Sequence, residues 1–277
     1  MAGPLTGEER PGMRRLFVCS SPEELARAAA GRLWGIVRER GAAQEKGKGR
    51  PGGIAVALSG GATPRRFLET LAASPYRERF PWNRVHFFQT DERWVPPDDP
   101  RSNQRMLRES LVAAGPVPEG NFHPVDLSLP DPAASARRYE EHLRRFFPKS
   151  PGGFPRFDAV FLGIGSDGHT ASLFPGSPVL EERKAWVAHA EGGAPFLGRV
   201  TLTLPVLNNA FRVIFLASGE EKAEILRVVL QGEGTGSLPA ARVSPRQGRV
   251  TWLVDSTAAS ALPSRGSSPP GNGGDPA

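Results

Sequence analysis

Hydrophobic and polar positions along this chain switch between two periods. The run Ile54-Ala55-Val56-Ala57-Leu58 is apolar throughout, as a strand buried on both faces requires. Comparable runs predict strands at 14–19, 85–89, 157–162, 185–190, 200–204, 213–217 and 250–254. Between them the spacing becomes helical. Leu25, Ala29, Leu33, Ile36 and Val37 share one helical face. Ser21 stands before it as an N-cap, Pro22 fits the first helical position, and Glu24 completes a capping box. Further helices are predicted over 64–73, 102–113, 132–147 and 220–230.

Such alternation predicts an α/β fold, an open and mostly parallel sheet with helices on both faces in a Rossmann-like three-layer arrangement. No internal repeat or linker divides the body, so residues 14–262 read as one domain. Residues 1–13 read as a flexible N-terminus and the Ser/Gly/Pro-rich residues 263–277 as a disordered tail.

Composition narrows the class. A chain of 277 residues buries a large core without covalent staples. The single cysteine, Cys19, excludes a disulfide framework and a multi-cysteine metal site, and fits a reducing cytoplasm. It follows Leu16-Phe17-Val18 and reads as a buried structural thiol. No apolar stretch reaches the roughly 18 residues of a membrane span, and no signal-peptide core follows the N-terminus. The expected location is therefore cytoplasmic. A net charge of +6 raises nucleic acid as a partner, but the arginines are scattered, so a small anionic substrate is the better match.

Ligands of open α/β sheets bind beyond the carboxyl ends of the strands, and three loops there are unusual. Ser59-Gly60-Gly61-Ala62-Thr63-Pro64 leads from a strand into a helix, with Thr63 expected as its N-cap. Free amides at that helix start suit a phosphate, although a plain tight turn fits the glycines equally well. It lacks the Gly-Lys-Ser/Thr of a P-loop, which argues against a nucleoside triphosphate. Thr90-Asp91-Glu92-Arg93-Trp94 reads as a charged loop, with Arg93 facing substrate oxygens, Asp91 or Glu92 positioning, and Asn103 adding polar contacts nearby. A solvated surface turn is its bland alternative.

The third loop runs from Gly163 to Pro175 and carries Asp167 and His169 among glycines. Imidazole suits proton transfer near neutrality, and Asp167 stands where it can orient the ring. A dinucleotide fingerprint would need a third glycine that is missing at the required spacing. Lys222, in the first turn of a helix after Ser218-Gly219, opposes the helix dipole and reads as an anion ligand or a solvated lysine; Arg199 is a second candidate cation.

Taken together, 58–64, 91–94 with 102–103, 163–175 and 218–222 resemble the glucosamine-6-phosphate isomerase/6-phosphogluconolactonase family over about residues 14–262. The deaminases of that group carry an acid five positions after the histidine, where this chain has Phe174, so the resemblance is to the lactonase branch. It implies a catalytic sugar-phosphate domain that hydrolyses 6-phosphoglucono-1,5-lactone in the pentose phosphate pathway, as a carboxylic ester hydrolase. No metal and no cofactor is implied. The implied partner is the small sugar-phosphate lactone, with neither nucleic acid nor membrane; the oligomeric state is left open, with a monomer as one plausible state. Under it, His169 is the general base, Asp167 orients it, and Arg93 stabilises developing charge. Ser59, Gly60, Gly61, Thr63, Asp91, Asn103, Arg199 and Lys222 bind the substrate and its phosphate. A serine nucleophile at Ser166 is disfavoured because Gly-x-Ser-x-Gly is absent. An amino-sugar phosphate deaminase and a non-catalytic sugar-phosphate sensor are the alternatives from other classes.

Overall fold

The computed structural model describes residues 14–47, 53–148, 153–193, 197–231, 236, 238–245 and 247–263. The tails predicted at either end, apart from Pro263, lie outside these residues. In chain order the elements are β1 (Arg14–Cys19), α1 (Pro22–Glu45), β2 (Ile54–Leu58), α2 (Ala62–Ala72), α3 (Tyr76–Arg79), β3 (Val85–Gln89) and β4 (Asp91–Arg93). Next come α4 (Asn103–Leu107), β5 (Phe122–His123), α5 (Pro132–Phe146), β6 (Ala159–Leu162), β7 (Val187–Gly192) and β8 (Leu197–Leu202). The chain continues with α6 (Leu204–Leu207), β9 (Arg212–Ala217), α7 (Ala223–Gln231), α8 (Pro239–Arg242) and β10 (Arg249–Asp255).

Seven strands form a parallel sheet in the order β1-β10-β9-β6-β2-β3-β5. Side chains alternate across it, as strand geometry demands. Ile54, Val56 and Leu58 join α1, α2 and α4 in one core, where Phe67 stacks on Phe161 at 4.7 Å. Ala55 and Ala57 face the opposite core, shared with α5 and α7. The predicted three layers are present.

Two corrections concern the strands. Residues 185–190 and 200–204 do not extend the main sheet. They form β7 and β8, which pair antiparallel and take β4 as a third strand. This small sheet packs beside α5 and brings Val187, Val200 and Leu202 into the core. At the start of α1, the Ser21 hydroxyl accepts from the Glu24 amide, but the Glu24 carboxylate accepts from the amide and hydroxyl of Ser20 rather than Ser21. No helix among the described residues is long and apolar enough to cross a membrane.

Candidate active site

The strand order fixes where a ligand can sit. From β2 the chain winds outward through β3 and β5, returns to β6 on the other side of β2, and winds the opposite way through β9 and β10. The loops after β2 and β6 therefore diverge, and a crevice opens between them. A cleft of about 390 Å³ occupies this crevice and gathers Ser59, Gly60, Gly61, Thr63, Asp91, Arg93, Asn103, His169 and Lys222. Nine of the residues singled out in the sequence converge there. Asp167 and Arg199 do not line it.

Asp167 instead acts on His169. Its Oδ1 lies 2.6 Å from the ring Nδ1 and 3.1 Å from the His169 amide. A carboxylate only accepts, so Nδ1 holds the proton of the neutral ring and Nε2 keeps its lone pair. Burial pushes the Asp167 carboxyl up, but the amide and ring of His169 outweigh it and hold it below its ordinary value. The glycine pattern has a local cause: a Cβ on Gly165 would stand 2.1 Å from His169 Nδ1. Phe174, buried, sets its ring 4.8 Å from the imidazole on the far side. Ala171, with φ of 48°, is the non-glycine residue in left-handed geometry among the described residues, and it lines the cleft. Such strain concentrates at functional sites.

The charged triplet is a correction. Asp91-Glu92-Arg93 is not a surface loop but strand β4, paired with Arg199-Val200-Thr201. Glu92 is fully buried and accepts five hydrogen bonds, from Gln89 Nε2, the Ser102 hydroxyl and the amides of Arg93, Asn103 and Gln104. It thus caps α4 as an anion at a helix start. Burial pushes its carboxyl up, against those donors. Asp91 accepts from the hydroxyls of Thr90 at 2.9 Å and Ser172 at 2.7 Å. Arg93 donates to the Arg101 carbonyl at 2.6 Å and reaches the cleft.

Arg199 is not among the residues that line the cleft. It pairs in register with Arg93 across β4 and β8, is buried, and donates to the Gly192 carbonyl. Burial, with Arg93 alongside, lowers its pKa from the ordinary value. It stands behind Phe174 rather than in the cleft, its guanidinium 5.9 Å from that ring's centre.

The glycine turn differs in detail from expectation. The N-cap of α2 is Gly61, with φ of 113° and no side-chain cap, not Thr63. The positive φ turns the chain into the helix earlier, and Thr63 falls within the first turn. The first intrahelical bond is Arg65 N–H to the Gly61 carbonyl, so the amides of Ala62 and Thr63 precede the ladder. The Ser59 hydroxyl shares a 2.6 Å hydrogen bond with Thr90, so backbone amides rather than that hydroxyl are the donors left for an anion. Gly60 lies against Asn103, whose Oδ1 would be 1.8 Å from a Cβ there.

Lys222 ends a 3-10 turn, Glu220–Lys222, that leads into α7. Asp255, at the end of β10, holds the base of that turn: it accepts from the Ser218 hydroxyl, the Gly219 amide, Thr257 and Ala258. Sequence reasoning passed over Asp255, although a lone carboxylate ending an apolar strand is a legible sign. It also passed over Ser172, and it gave no site role to Arg66, a cleft residue paired with Glu23. Among the described residues no group of three or more His, Cys, Asp and Glu could hold a metal ion.

The model of the glucosamine-6-phosphate isomerases/6-phosphogluconolactonase family matches residues 20–252. The chain belongs to this family. It is 39% identical over 254 residues to the 6-phosphogluconolactonase of Rattus norvegicus, covering 91% of this chain and 94% of the relative. It is 40% identical over 216 residues to that of Synechocystis, covering 77% and 85%. The solved 6-phosphogluconolactonase from Trypanosoma cruzi superposes with a TM-score of 0.79 at 30% identity, covering 92% of this chain and 99% of that one. The lactonase resemblance read from the loops thus extends over the whole domain.

Proposed function

We propose that the cleft hydrolyses 6-phosphoglucono-1,5-lactone to 6-phosphogluconate with His169 as general base. The observation that carries this is the 2.6 Å contact of His169 Nδ1 with Asp167, which leaves Nε2 as the basic atom. Nε2 takes a proton from water while the water oxygen bonds to the lactone carbonyl carbon. The tetrahedral intermediate then expels the ring oxygen, which receives the proton back from His169. One C–O bond forms, one breaks, and the net reaction consumes one water.

Arg93 supplies positive charge for the oxyanion, held to the Arg101 carbonyl in the free protein. The amides of Ala62 and Thr63, with Lys222, hold the phosphate. A remote anchor lets binding free energy orient the ester. Asp167 accepts from the ring throughout and stabilises the transient imidazolium; it does not attack the ester. Phe174 supports hydrolysis over deamination, since its apolar ring stands beside the imidazole where a deaminase needs an acid.

The test is an assay with freshly generated lactone, corrected for spontaneous hydrolysis. A wild-type rate no faster than buffer overturns the proposal.

A further inference from the structure

The cleft holds both donor and acceptor groups. Around α2 and the turn before α7 stand donors and cations: the first amides of α2, Arg66 and Lys222. Acceptors stand at the start of β4, the Asp91 carboxylate, and at the start of α4, the Asn103 amide, with Arg93 beside them. Asn103 carries an unexplained atom. It is 2% exposed, and its Oδ1 is buried with no hydrogen-bond partner. The amide cannot be turned to relieve this, because Nδ2 donates to the Asp91 carbonyl at 2.9 Å and an oxygen there would face another oxygen. The backbone of Asn103 is fixed as well, its amide donating to Glu92 at 2.8 Å. A buried acceptor without a donor is costly, and native structures rarely keep one without a use.

We propose that Asn103 Oδ1 accepts a hydrogen bond from one ring hydroxyl of the sugar lactone and so selects its hydroxylation pattern. This rests on the lactonase reading above and adds a specificity residue to it. A phosphate oxygen is a poor partner, since it too only accepts. A sugar hydroxyl can donate to Oδ1 and receive from other groups at once. Gly60 lies against Oδ1, which fills the space that a Cβ there would take. With the phosphate on the first amides of α2 and Lys222, the ring hydroxyls lie toward Asp91 and Asn103.

The experiment compares kcat/KM of the wild type on 6-phosphogluconolactone and on three analogues lacking the 2-, 3- or 4-hydroxyl. The wild type should lose on the order of 10-fold or more on one analogue and much less on the other two. Asn103→Ala should lose a similar factor on the parent lactone and nothing further on that one analogue. An equal penalty from Asn103→Ala on all three analogues overturns the inference. So does a weakened inhibition by inorganic phosphate in that variant, which would put Asn103 at the phosphate. Should Asn103→Ala not fold, the wild-type series decides alone: an active enzyme indifferent to all three deletions sinks this inference and leaves the lactonase reading intact. A wild type without lactonase activity sinks both.

Discussion

Asp91 on β4 and Ser172 in the histidine loop, 81 residues apart in sequence, share a 2.7 Å hydrogen bond between buried side chains. This contact ties the strand that carries Arg93 to the loop that carries His169. Ser172→Ala removes one of the two hydroxyl donors to a buried carboxylate, a loss of about 1.5–3 kcal/mol. The midpoint of thermal unfolding should fall by several degrees, and kcat should fall with it. An unchanged melting curve would mean that the Asp91 carboxylate is satisfied without Ser172.

His169→Ala should lower kcat by roughly 100- to 10,000-fold while 6-phosphogluconate still binds. Calorimetric titration with the product, alongside the corrected rate assay, separates the two effects. A variant that retains turnover points to a different base.

Gly165→Ala probes the same ring from behind. The new Cβ would overlap Nδ1 at 2.1 Å and press the imidazole away from Asp167. Activity should drop on the order of 100-fold, as for a misplaced catalytic group. The circular dichroism spectrum should be retained, because Gly165 lies outside every helix and strand.

Asp167→Asn should lower kcat. The carboxylate Oδ1 lies 2.6 Å from His169 Nδ1, and an amide there can donate to that nitrogen and favour the wrong tautomer. Turnover should fall roughly 100- to 10,000-fold while 6-phosphogluconate still binds in a calorimetric titration. An unchanged rate would separate Asp167 from the base.

Asp255→Asn should act on stability. Burial pushes this carboxyl up, but Ser218, Ala258, Thr257 and Gly219 outweigh it and hold it low. A folded-state value below the unfolded one gives stability that is present above about pH 4 and lost as pH falls through the folded value. The melting temperature of the variant should therefore lie below wild type at neutral pH, and the gap should close in acid. Its KM should also rise, since the turn before Lys222 loosens.

The parallel sheet was legible because each of its longer strands is an apolar run with little ambiguity. A cap and a proline placed the start of α1, where Ser21 does accept from the Glu24 amide three residues on. Strand β4 was not legible, since Asp91-Glu92-Arg93 has the composition of a surface turn. Only donors brought from residues 89 and 102–104 make burial of Glu92 possible, and that is a tertiary fact. The setting of Arg199 was not legible for a related reason: a basic residue near a strand start gives no sign of which side its guanidinium will face. The contact of Asp167 with His169 was legible because the glycines, acid and imidazole are adjacent in sequence.

The crevice between β2 and β6 joins two parts of the chain that wind in opposite directions. The glycine turn belongs to the first part, His169 and Lys222 to the second. A ligand lying across both is a clasp, and by mass action it should raise the unfolding temperature of the whole domain rather than of one lobe. The same division gives the site a birth order. A growing chain has its glycine turn long before its histidine, and the activity begins only when the later half has closed against the earlier one.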